Sequence, residues 1–137
     1  MNLKPLSPDF SVTPQIEATE VAELAMRGFK SIIGNRPEGE APDQPSWPSL
    51  VAEAEQHGMS VRQIPVVPGQ IGPDDVRLFA AALRDLPTPI AAFCRTGTRS
   101  AMLWALANPE GLSVDERIAR AAAQGYDLAP LRERMAR

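Results

Sequence analysis

Apolar positions in this chain alternate between stretches with helical spacing and short continuous runs. In "TEVAELAMRG", Val21, Leu24 and Ala25 share one helical face, and Gly28 stands where a helix end turns left-handed. "FKSIIGN" follows as a buried strand, and "SLVAEAEQHG" repeats the helical spacing up to Gly58. "SVRQIPVV" reads as the next strand, with Val61, Ile64 and the valines after Pro65 apolar. "PGQIGPDDVRLFAAALRDL" holds a loop and then a helix whose stripe is Val76, Phe79, Ala80 and Leu83. Pro73 suits the first turn of that helix, and Asp74 and Asp75 favour the positive end of its dipole. "TPIAAFC" is a nearly all-apolar strand and "SAMLWALAN" a helix. Ser113 and Glu116 form an S-x-x-E capping box that opens "VDERIARAAAQG", and a short helix covers "LAPLRERMA". An early strand near "DFSV" completes the series.

Strands alternating with helices predict an α/β fold with a central, mostly parallel sheet of 4–5 strands flanked by helices. Runs such as "SII" and "IAAF", apolar on both faces, fit a sheet covered on both sides. The chain has no internal repeat and no long linker; its most loop-like stretch is residues 35–48, "NRPEGEAPDQPSWP". At 137 residues, a single domain over 1–137 with one core is expected.

Charge and cysteine content narrow the chemistry. Lys and Arg number 14 against 17 Asp and Glu, for a net charge of −3, which is no footprint for nucleic acid. The arginines of "LRERMAR" are interrupted by Glu133 and read as a solvated helix face. One cysteine and one histidine exclude an intrachain disulfide framework and a cysteine-cluster metal site, so neither metal nor cofactor is expected. "MNLKPLSPDF" lacks the apolar centre of a signal peptide, and no run approaches transmembrane length; a cytoplasmic protein with no membrane partner is expected.

The single cysteine lies where an α/β fold collects ligands, between the end of the most buried strand and the next helix. In "AAFCRTGTRSAMLWALA", the segment from Cys94 to Arg99 bridges the two. The backbone N–H groups of Arg95, Thr96, Gly97 and Thr98 can converge on an anion, and the helix N-terminus adds positive potential. Gly97 permits a tight turn, Arg99 offers a fork of donors for an oxyanion, and Ser100 completes the set. The same field favours a thiolate, which makes Cys94 a candidate nucleophile with Arg99 as its catalytic partner. An isolated cysteine at a strand end is ordinarily a small buried hydrophobe. Here the succession of strand, Cys, Gly, Arg, Ser and helix favours the nucleophile.

"FCRTGTRSA" resembles the active-site loops of two families of cysteine enzymes, the tyrosine and dual-specificity phosphatases and the rhodanese sulfurtransferases. With "LSPDFSVTPQI", "IIGNRPEGEAPDQPS" and "IPVVPGQI" in order before it, the chain looks like the beta-lactamase hydrolase-like protein, phosphatase-like domain family. That resemblance implies a three-layer sandwich of the dual-specificity and tyrosine phosphatase type. It also implies a candidate partner, a metallo-beta-lactamase-type persulfide dioxygenase, and with it sulfur transfer.

Two readings separate phosphorus from sulfur. Four residues lie between Cys94 and Arg99, one fewer than in the phosphatase signature, and Phe93 stands where those enzymes usually carry histidine. Ester hydrolysis benefits from a general acid, and "IPVVPGQ" offers Pro and Gly where the phosphatase aspartate is expected. Both features favour a rhodanese-type sulfurtransferase that forms a Cys94 persulfide from a small sulfane-sulfur donor. The alternative is a phosphatase acting on a phosphate ester through a Cys94 phosphocysteine, and a second alternative is a non-catalytic oxyanion-binding module. Arg36, Asp43 and Gln70 are candidates for the pocket wall, against ordinary roles as an ion-paired loop arginine (with Glu38 or Glu40), a turn residue and a loop residue. His57 reads as a surface residue, and Trp47 and Trp104 as packing.

Overall fold

The computed structural model describes all 137 residues. Its centre is a five-stranded sheet built from β1 (Lys4–Ser7), β2 (Phe10–Thr13), β3 (Ser31–Gly34), β4 (Ser60–Gln63) and β5 (Ile90–Phe93). The order across the sheet is β1-β2-β5-β3-β4. β2, β5, β3 and β4 run parallel, and β1 pairs antiparallel with β2 as a hairpin arm. The early strand near "DFSV" is therefore two strands, because the turn after Ser7 folds "KPLS" back onto "FSVT".

Side chains alternate across each strand, and this divides the core into two layers. Ile33 of β3 and Ala92 of β5 face Phe79, Leu103, Trp104 and Leu128. Their neighbours Ile32, Ala91 and Phe93 face Val21, Leu24, Leu50 and Ala54. The second face is thus covered by α1 (Ala18–Met26) and α2 (Trp47–Gln56), and the first by α3 (Pro73–Asp85), α4 (Thr98–Ala107) and α5 (Val114–Ala123). The chain ends in a 3-10 turn, Ala129–Leu131, and a short helix α6, Arg132–Met135. No helix is long and apolar enough to cross a membrane.

Most helix boundaries follow the sequence signals. Gly28 and Gly58 take φ of 93° and 69° at the ends of α1 and α2, and Pro73 opens α3 with the Asp75 carboxylate accepting from the Gly72 N–H at 2.9 Å. Two expectations fail. The strand in "SVRQIPVV" stops at Gln63, because Pro65 has no N–H to donate; only the Ile64 and Val66 N–H groups still bond across, to Gly34 and Asn35. The capping box at α5 is half formed: Ser113 Oγ accepts from the Glu116 N–H, but the Glu116 carboxylate turns to Arg120 at 3.2 Å.

Candidate active site

Four parallel strands deliver four loops to one end of the sheet, and one cleft of about 830 Å³ is lined from all of them. Gln15 and Glu17 come from the loop after β2, and Arg36 and the run Glu40–Pro45 from the loop after β3. Val67 and Pro68 come from the loop after β4, and Arg95 and Arg99 from the loop and helix after β5. Parallel pairing alone dictates this convergence, since every parallel strand ends on the same side.

Cys94 follows the last residue of β5 and is fully buried, close enough to act on the Arg99 guanidinium. Its Sγ accepts a hydrogen bond from the Gly97 N–H at 3.0 Å. That bond needs the chain to double back within three residues, and Gly97 does so at φ 92°, a left-handed conformation that side chains rarely adopt. A Cβ on Gly97 would also come within 2.1 Å of the Tyr126 hydroxyl oxygen. Helix α4 starts at Thr98, two residues before the "SAML" run, which places Arg99 in its first turn. Ala101 makes the first main-chain bond into Gly97; of the amides ahead of it, that of Gly97 is given to Cys94 Sγ and that of Thr98 to Thr96 Oγ1 at 3.4 Å.

The Arg99 guanidinium is held from two sides. Nη1 donates to the Val66 carbonyl at 2.8 Å, and Nη1 and Nη2 donate to the two carboxylate oxygens of Glu40 at 2.8 and 2.9 Å. Glu40 Oε1 accepts a further bond from Arg36 Nε at 2.9 Å, and Arg36 Nη1 donates to Gln15 Oε1 at 3.1 Å. A carboxylate gripped through both oxygens by arginine has the two-point geometry in which arginine also holds phosphate. Glu40 therefore takes the place on Arg99 that an oxyanion would take. The hydrogen bonds from Arg99 are the largest influence on its acidity. With help from Arg36 and against the opposing effect of burial, they hold the carboxyl down at about 2. Burial works against the Arg99 charge, but Glu40 and the nearby Cys94 sulfur outweigh it and leave its acidity weaker than usual.

Among the residues singled out from sequence, Arg95, Arg99, Arg36 and Asp43 line the cleft, and Cys94 is buried behind its wall, close enough for its sulfur to act on Arg99. Thr96 and Thr98 are exposed and bond each other through their hydroxyls at 2.9 Å. Ser100 departs from expectation: its Oγ donates to Asn35 Oδ1 at 2.8 Å instead of facing the anion loop. Buried Asn35 in turn donates from Nδ2 to the Ile64 carbonyl, which ties the ends of β3 and β4 to α4. Gln70 lies exposed outside the cleft wall, its N–H bonded to the Val67 carbonyl in a turn. Arg36 is both things weighed for it, an ion pair with Glu40 and part of the wall. Glu38 instead accepts from the Trp47 N–H and caps α2. His57 sits at the surface 3.3 Å from Glu53, while Trp104 is buried and Trp47 stacks obliquely on Phe93.

Sequence reasoning gave Glu40 only as a partner for Arg36, and Tyr126 no role at all. Nothing local marks either one: Glu40 reaches Arg99 across 59 positions, and Tyr126 reaches Thr96 across 30. The loop after β4 contributes Val67 and Pro68, as expected, yet Glu17, Glu40 and Asp43 enter the same cleft from the loops after β2 and β3.

Residues 2–111 match the family of the beta-lactamase hydrolase-like protein, phosphatase-like domain, and the chain belongs to that family. It is 32% identical over 130 residues to a beta-lactamase hydrolase-like protein of Xylella fastidiosa, and 33% identical over 116 residues to one of Agrobacterium fabrum. These alignments cover 93% and 85% of this chain but 30% and 26% of the relatives, so the chain spans under a third of their length. A solved structure of a candidate phosphatase from Neisseria meningitidis superposes with a TM-score of 0.87 at 35% identity, covering 98% of this chain and 96% of that one. The core catalytic domain of the PP-IP phosphatase Siw14 from S. cerevisiae shares the fold, with a TM-score of 0.72 at 16% identity over 99% of this chain and 84% of that one.

Proposed function

We propose, from its place in this phosphatase-like family, that the chain is a cysteine-dependent phosphatase, with Cys94 as nucleophile and Arg99 as the phosphoryl-binding residue. This reverses the preference for sulfur drawn from the loop spacing and the missing acid. The observation that carries the reading is the two-point grip on the Glu40 carboxylate by Arg99, the arginine that also acts on the Cys94 sulfur. In the reaction, the phosphoryl oxygens displace Glu40 from Arg99. Cys94 Sγ attacks phosphorus, the S–P bond forms as the P–O ester bond breaks, and a carboxylic acid protonates the leaving oxygen. Water then attacks the phosphocysteine, gives its proton to the same carboxylate and releases phosphate and thiolate. Asp43 is our assignment for that acid. It lines the cleft without an ion-pair partner, whereas Glu40 is engaged by both Arg36 and Arg99.

The test is turnover of an aryl phosphate by the purified chain. We expect Cys94→Ser to abolish it, and Asp43→Asn to cut turnover of an alkyl phosphate by roughly a hundredfold while sparing esters with good leaving groups. The second reading, sulfur transfer, keeps one specific support: the four-residue spacing from Cys94 to Arg99. Thiosulfate that loads a cyanide-labile sulfur on Cys94, with no phosphate-ester turnover, would replace the first reading with the second.

A further inference from the structure

Tyr126 follows α5, beyond the stretch that matches the family, and its side chain reaches the back of the Cys94 loop. It is the only tyrosine of the chain and is 5% exposed. Its hydroxyl donates to the carbonyl of Thr96 at 2.9 Å. The next atom along that peptide is the Gly97 nitrogen, whose N–H donates to Cys94 Sγ at 3.0 Å. A peptide unit is planar and trans, so its carbonyl and its N–H point in opposite directions and cannot rotate separately. Whatever fixes the Thr96 carbonyl also fixes the direction of the Gly97 N–H.

We infer that Tyr126 is a positioning residue for the nucleophile: through the Thr96–Gly97 peptide it aims the Gly97 N–H at the Cys94 sulfur. The inference rests on the reading of Cys94 as a nucleophile. Two further observations support it. The space a Gly97 side chain would fill is taken by the Tyr126 hydroxyl, so loop and phenol are packed as one unit. Lys4 Nζ lies 4.5 Å from the ring centroid and holds the outer face of the phenol from β1. The phenol also stays protonated, and so remains a donor, across working pH. Burial, and then the charge on Cys94, push its ionisation up to about 12. Arg99 from α4, itself paired with Glu40, also acts on the sulfur.

The experiment measures iodoacetamide alkylation of Cys94, the only thiol of the chain, as a function of pH, and so needs no turnover. Losing one modest hydrogen bond to the thiolate should move the acidic limb of the alkylation profile in Tyr126→Phe to higher pH by roughly half to one unit. Lys4→Gln, which removes the contact on the ring face but leaves the hydroxyl donor in place, should move the limb by clearly less than Tyr126→Phe. An unchanged limb in folded Tyr126→Phe overturns the inference, as does an equal displacement in Lys4→Gln. A wild-type thiol that never alkylates below the ordinary cysteine range would overturn the nucleophile reading itself. Should Tyr126→Phe fail to fold, 3-fluorotyrosine incorporated at this single tyrosine provides the second measurement. Its fluorine resonance should titrate with the midpoint of the alkylation profile, and a resonance that ignores it overturns the coupling.

Discussion

Replacing Glu40 with Gln removes one negative charge from between Arg36 and Arg99 and keeps the length of the side chain. The carboxyl ionises at about 2 in the folded chain against 4.5 for the free group, a difference equivalent to at most about 3 kcal/mol. The side chain is 23% exposed, and solvent screening reduces this to about 1–2 kcal/mol. Because ionisation is made easier by folding, the stabilisation is complete above about 4.5 and is lost as pH falls through about 2. At neutral pH, Glu40→Gln should therefore be less stable to urea by about 1–2 kcal/mol, and the gap should close as the pH falls from 4.5 towards 2. The same energy opposes any anion that must displace Glu40. Competitive inhibition by phosphate at pH 7 should accordingly tighten by roughly 5- to 30-fold in the variant. A phosphate inhibition constant that stays the same or weakens would show that Glu40 does not compete for Arg99. A stability gap independent of pH would show that its charge is not what holds the loop.

Two further outcomes follow from the packing around the site. Gly97→Ala forces a Cβ to within 2.1 Å of Tyr126 Oη at a φ of 92°, so it should destabilise the chain by roughly 1–3 kcal/mol and abolish aryl phosphate turnover, read by thermal unfolding and steady-state assay. Arg117, 5% exposed and with burial working against its charge, donates to the carbonyls of Ser113, Ala105 and Met135. Arg117→Met strands those carbonyls and should cost about 1–3 kcal/mol in urea unfolding, loosening the segment that carries Tyr126.

The sequence by itself determined the parts whose causes are local. Periodicity set α1, α2 and α3, with glycine stops after the first two, and continuous apolar runs set β3 and β5 as strands buried on both faces. The order strand, Cys94, Gly97, Arg99, helix was enough to locate the candidate nucleophile at a strand end. Tertiary structure decided what stands around it. The turning of Ser100 to Asn35 depends on a partner 65 positions away in the chain. The seat of Glu40 on Arg99 and the reach of Tyr126 to Thr96 likewise depend on distant partners. Each of these is a hydrogen bond or pairing closed across many residues. No local propensity encodes such a closure, which exists only once parallel strands have brought four separate loops to the same end of the sheet.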